Sequence, residues 1–264
     1  MDPLLQKIIS KVLKGNIPCW QKPCKTLVTK NLLSKKIYYL KNIEDRFQSP
    51  WYITEKQLKN IGGKVKKGRG GFITYSGNQY IEVFNIEQCA DIIKPEIPKI
   101  KEIIRCNKII KNYLRDKKIT LQKSLNLIGY LNDSSVVCLP PISSFKSIEL
   151  YHFGKFHELI HSTEHKDRLN RFILKTKTIE GLVSTKSMTL YAEEELIADL
   201  GACILSERTG ILNSVIDYSI SYLNMFINKY LYGERLGKNK ENKIKLLKRA
   251  YTKALEAVEY IINN

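Results

Sequence analysis

Long apolar runs are absent from this chain of 264 residues: nowhere do about 18 apolar residues follow one another, so no membrane-spanning helix is expected. No export signal is read at the start, where Asp2 and a lysine-dotted amphipathic segment stand in its place. Cysteine lacks a pattern. Cys19 and Cys24 lie close enough for half a metal site at most, while Cys89, Cys106, Cys138 and Cys203 are scattered, which argues against a disulfide framework. Reduced thiols are expected, in a cytoplasmic setting or the equivalent reducing compartment of an organelle. No G-K-[ST] closes the glycine run at 68–71, which excludes a phosphate-binding P-loop. Acidic residues are short against basic ones, 26 against 44, leaving a net charge of +18. Histidine is scarce as well: His152, His157, His161 and His165 are all there is, and all lie within residues 151–171.

What is present fits a folded chain. An apolar share of 43% is enough to build cores, so disorder is excluded as the main state. The positive charge is denser at the front, with 18 Lys/Arg against 8 Asp/Glu in residues 1–99. A polyanion is the natural partner, although a genome rich in A and T also enriches lysine without selection for binding.

Asp2-Pro3 reads as the N-cap and first position of a helix that Gly15-Asn16 stops, with Leu4, Leu5, Ile8, Ile9 and Val12 on one face. Thr54 with Gln57 forms a capping-box pattern, and its short helix should end at Gly62-Gly63. The run Lys64-Val65-Lys66-Lys67-Gly68-Arg69-Gly70-Gly71 reads as a basic loop at the base of a hairpin over 72–76 and 79–85, turning at Gly77-Asn78. Its cations suit phosphates, with Trp20, Trp51, Tyr52 or Tyr75 available to stack on bases; a solvated turn beside buried tryptophans is the plainer alternative. A linker is expected around 94–99, where Pro95 and Pro98 fall. Beyond it lie a helical period over 99–114, a buried strand at 136–139, and four helical stretches: one from about Ser144 through the histidines, then 191–208, 215–231 and 242–262.

His157-Glu158-Leu159-Ile160-His161 is H-E-x-x-H, which on a helix sets two imidazoles on one face with a carboxylate beside them. A zinc ion held there needs a third protein ligand and an open position for water. Glu195 and Asp199, four residues apart on one face, supply a ligand and a carboxylate to orient a ligating imidazole, leaving Glu193 and Glu194 toward solvent. Glu158 is then the general base. Asp167 is a rival third ligand, His165 and His152 are supporting or surface residues, and Tyr151 and Tyr191 are candidates for stabilising an oxyanion. The bland alternative is that His157 and His161 merely pack.

Jointly, these residues resemble the ArdC-type antirestriction proteins of plasmids and phages. The front motifs are Ile17-Pro18-Cys19-Trp20-Gln21-Lys22-Pro23, Ser49-Pro50-Trp51-Tyr52-Ile53-Thr54, Gly62-Gly63-Lys64-Val65-Lys66-Lys67-Gly68 and Val83-Phe84-Asn85-Ile86-Glu87-Gln88-Cys89. The rear ones are Leu139-Pro140-Pro141, His157 to His161 with Arg168-Leu169-Asn170-Arg171, Tyr191 with Glu194-Glu195-Leu196-Ile197-Ala198, and Tyr222-Leu223. Departures are Cys24 for a second tryptophan, Glu164 for glycine, Asp199 for glutamate and Phe226 for tryptophan.

The resemblance implies an α+β protein of two domains: a small basic single-stranded-DNA-binding domain over 1–94, and a mainly helical zincin-like metallopeptidase domain over 95–264. It implies His157, His161 and Glu195 as ligands of Zn2+, or of another divalent ion such as Mn2+, with Glu158 as the catalytic carboxylate. Trp20, Lys22, Trp51, Lys64, Lys66, Lys67 and Arg69 are the expected DNA contacts. The expected function is single-stranded DNA binding that shields incoming mobile-element DNA from restriction. A zinc endopeptidase acting on a protein substrate and localised by the front domain, and a non-enzymatic module with a structural metal, are the alternatives.

Overall fold

The computed structural model describes all residues except 15–16, 19–20, 22–29, 37–46, 48, 50, 77–78, 96–102, 125–126, 172–184, 237–238 and 264. Most of the expected linker, the turn at 77–78, Trp20, Lys22 and Cys24 fall outside the described residues.

Helix α1 (Pro3–Leu13) starts where the sequence places it, because the Asp2 carboxylate accepts the Leu4 and Leu5 amide N–H groups and Pro3 needs no partner. The front unit is built on a sheet of β1 (Lys30–Asn31), β2 (Trp51–Ile53), β4 (Phe72–Ser76) and β5 (Gln79–Asn85), in the order β1-β2-β5-β4. Phe72 pairs with Val83 and Ser76 with Gln79, the register expected of the hairpin. Helix α2 (Glu55–Asn60) has its capping box, with Thr54 Oγ1 accepting the Gln57 N–H. Positive φ at Gly62, +76°, then turns the chain at little cost.

One expectation is corrected here. Lys64 and Val65 are a strand, β3 (Lys64–Val65), paired with β6 (Cys89–Ala90), so only residues 66–71 form the loop. The unit closes over a small core of Leu32, Ile53, Leu58, Phe84, Ile86 and Cys89.

The rear unit joins α3 (Ile104–Asp116) to a sheet of β7 (Thr120–Lys123), β8 (Gly129–Leu131) and β9 (Val136–Leu139), ordered β7-β9-β8, and then to four helices. These are α4 (Ile148–Ser162), α5 (Thr185–Arg208), α6 (Leu212–Gly233) and α7 (Lys240–Asn263). Helix α4 begins a turn later than expected because Ser147, whose Oγ accepts the Leu150 N–H, is its cap. Helix α5 is apolar on all sides along Leu196, Ile197, Leu200 and Ile204, and is accordingly enclosed by α4, α6 and α7.

The amphipathic α1 does not pack on the front sheet. Its Leu4, Leu5, Ile8, Ile9 and Val12 join the rear core against α6 and α7. Tyr251 donates to Asp2 Oδ1 at 2.8 Å, and Lys11 pairs with Asp217 on α6 at 2.6 Å. The N-terminal helix therefore belongs physically with the helical half.

Candidate metal centre

The H-E-x-x-H segment occupies the last turns of α4. Its Leu150, Phe153, Phe156, Leu159 and Ile160 enter the core, which turns Gly154, His157, Glu158 and His161 toward a cavity of about 520 Å³. The opposite wall is α5, and the two helices approach closely at Gly201: a Cβ there would lie 2.6 Å from Ile160 Cδ1 and 3.2 Å from its Cγ2. Ile160 is β-branched and stiff in a helix, so it cannot swing clear. Gly201→Ala should therefore push α5 away, costing about 1–3 kcal/mol of overpacking against at most about 1 kcal/mol of helix propensity regained. A thermal melt should show a midpoint lowered by a few degrees; an unchanged or raised midpoint would contradict this packing.

Across that contact the three expected ligands meet. His157 Nε2 lies 3.1 Å from His161 Nε2 and 3.2 Å from Glu195 Oε2, and His161 Nε2 lies 3.6 Å from the same oxygen. Ligands held tetrahedrally at ~2.0–2.1 Å are ~3.4 Å apart, so the triangle has the size of one face of a metal's coordination shell. Charge agrees with geometry. Burial opposes a charged imidazole, yet Asp199 and Glu195 outweigh it and push His157 up to about 9; Glu195, with Glu194, likewise raises His161. Burial resists the Glu195 charge too, but His161 and His157 hold its carboxyl far below the usual range. A pocket that draws positive charge so strongly, with two imidazole nitrogens facing each other, fits a divalent cation.

Carboxylates flank both imidazoles on their far side. Asp199 Oδ1 is 3.8 Å from His157 Nδ1, while its other oxygen accepts the Ser219 hydroxyl from α6. Glu194 Oε1 is 3.5 Å from His161 Nδ1. Glu194 was expected at the surface but is 5% exposed, because Arg171 folds back over it with Nη2–Oε1 at 2.8 Å and neutralises its charge. Arg171 also donates to Thr163 Oγ1 at 2.5 Å and Ile160 O at 3.1 Å, tying α4 to α5. Glu193, also expected to face solvent, is largely covered and pairs with Arg249 and Lys253 of α7. Arg168 donates to Tyr130 OH and Ser162 O, anchoring β8 over the cavity.

Glu158 is 4% exposed and, among the described residues, its Oε2 has no hydrogen-bond partner; burial pushes its carboxyl above the usual range. A buried carboxylate oxygen left bare in a cavity is costly unless a ligand or water meets it. Glu164 also lines the cavity, raised by burial and then Glu194 to about 7.

The other candidates lie outside the triangle. Asp167 leaves its side chain 72% exposed beside His165, outside the triangle. His152 is buried with Nε2 accepting the Ile103 N–H at the start of α3, and His165 Nδ1 accepts the Asp167 N–H. Tyr151 lies against Phe145 and under Lys155, away from the cavity, whereas Tyr191 lines it. Tyr222 on α6, which the sequence offered only as part of a motif and without a role, donates its hydroxyl to Glu195 Oε2 at 2.5 Å. Tyr218, one turn before it, also lines the cavity.

Among the expected DNA contacts, Lys64, Lys66, Lys67 and Arg69 are exposed. Lys64 is paired with Asp91 at 2.8 Å, and Lys66 Nζ donates to Glu87 O at 2.9 Å. Trp51 is half-buried against the front core with Lys35 Nζ 4.3 Å over its ring, which occupies one stacking face. Among the described residues, no helix is long and apolar enough to cross a membrane.

Residues 108–232 match the model of the MPTase-PolyVal family, described as zincin-like metallopeptidase. The chain is 24% identical to the DNA primase TraC of Escherichia coli over 80% of this chain, which spans only 17% of that longer protein. The antirestriction protein ArdC of plasmid R388 is 22% identical in both of its structures. The metal-free one covers 98% of this chain and 97% of its own at a TM-score of 0.40, and the Mn(II)-bound one 100% and 99% at 0.41. The family model spans the whole cavity wall, from α3 through α6.

Proposed function

We propose that this chain acts as its ArdC-type resemblance implies: the front half binds single-stranded DNA and shields incoming mobile-element DNA from restriction, while the rear half is a metal-dependent peptidase-like centre. The observation that carries the rear half is the triangle of His157, His161 and Glu195 with the bare Glu158 oxygen beside it. Two imidazoles and a carboxylate suit zinc, with another divalent ion such as Mn2+ as the second choice. What such an ion supplies when bound is Lewis-acid polarisation of a carbonyl and a more acidic water.

The chain's own groups do the rest. Glu158 accepts a proton at Oε2 from the water as its oxygen forms the new C–O bond, then hands that proton to the amine nitrogen, which leaves as the peptide C–N bond breaks. Asp199 and Glu194 fix the two imidazoles, and Tyr222 and Tyr191 surround Glu195 and the developing charge. Leu150 and Phe153 keep one end of the cavity dry.

The front half is supported by its charge and by the exposed cations of residues 64–69. Charge reversal at Lys66, Lys67 and Arg69 in the full chain should weaken single-stranded DNA of every sequence alike and lower the slope of log affinity against log salt by roughly 2. Binding titrations over a salt series check this; a wild-type chain with no salt slope, or with a duplex preference, contradicts the reading.

A further inference from the structure

The glycine-rich basic segment borders a second hollow, of about 560 Å³, in the size range of small-ligand sites. Lys66, Arg69 and glycines 68, 70 and 71 line it together with Phe47 and Phe72. The two rings are set edge to face with centroids 5.8 Å apart, and Phe72 is held in turn by Tyr52 at 5.7 Å. This aromatic wall is therefore fixed in place rather than loose on a turn. The polar groups around it are engaged by the protein. Gln88 Nε2 donates to Gly70 O and its Oε1 accepts the Asn85 N–H, the Gly71 N–H is bound by Glu82, and Glu87 Oε1 accepts the Ser49 N–H. Such a site offers ring surface and cations but few groups to read a base edge.

We propose that this hollow is a subsite for one unpaired nucleotide, its base against the Phe47–Phe72 wall and its phosphate at Arg69 and Lys66. The proposal rests on the single-strand reading above and deepens it: a base inside a duplex has both faces stacked and cannot enter, so the hollow, and not the cations around it, selects single strands. Stacking of this kind tolerates any base.

The test uses the full chain, fluorescent oligothymidylate and a mixed-sequence duplex of equal length, titrated over a salt series. Phe47→Ala should weaken oligothymidylate binding about 5- to 150-fold, the range of one lost base stack, with duplex affinity and the salt slope unchanged. Phe47→Tyr should bind as wild type. Gly70 borders the hollow and a Cβ there meets nothing within 4 Å, so Gly70→Leu should fold and, by filling space, reproduce the Phe47→Ala loss. Arg69→Ala should instead lower the slope by about 1 on both nucleic acids. Undiminished oligothymidylate binding by Phe47→Ala, or an equal loss on both nucleic acids, overturns the subsite and leaves single-strand binding standing. A wild-type chain that binds no oligothymidylate at low salt overturns the functional reading itself.

Discussion

A Glu195→Ala chain is expected to bind zinc at least ~100-fold more weakly than the wild type, which should hold about one ion per chain. Loss of supporting groups around a metal ordinarily costs ~10–100-fold, and the proposed role of Glu195 is that of a ligand, so its loss should cost at least as much. Its oxygen closes the triangle with the two imidazoles at 3.2 and 3.6 Å, and no other carboxylate among the described residues is grouped with both imidazoles at ligand distance. Dialysis followed by metal analysis measures this, with His161→Ala as a parallel loss. The fold should survive, since α5 is held mainly by Leu196, Leu200 and Ile204. If Glu195→Ala keeps its ion and Asp167→Ala loses it, the third ligand is misassigned.

Glu158→Gln should separate the ion from the chemistry. Gln is isosteric and uncharged, so the ion should stay bound. Any peptide hydrolysis should fall by ~10²–10⁴-fold, the usual contribution of a positioned acid-base group. Turnover of a general peptide substrate by the metal-loaded chain gives the first number, and protection of incoming DNA in cells expressing a restriction enzyme gives the second. Unchanged protection assigns the shielding to DNA binding alone. Abolished protection with the ion retained makes the endopeptidase reading the right one.

Much of the site was legible because helices obey a fixed period. The i,i+4 spacing of His157 and His161, and of Glu195 and Asp199, put each pair on one face, and a metal's need for a third donor joined the two faces. The capping residues Asp2 and Thr54 and the hairpin register over 72–85 were equally local and were found as expected. A stripe of apolar residues on α1 announced a buried face but carried no information about which surface would cover it. Burial of Glu194 depends on Arg171, 23 residues away in sequence, folding over it.

By itself, the sequence determined which residues are candidate ligands and where the cations lie, because ligand chemistry and helical period are properties of a short segment. Only the tertiary structure decided that Tyr222 reaches Glu195, that Lys64 is paired with Asp91, and that Phe47 and Phe72, not Trp51, border the basic loop. Each of those contacts depends on how distant segments pack, and packing responds to volume and to buried charge summed over the whole chain.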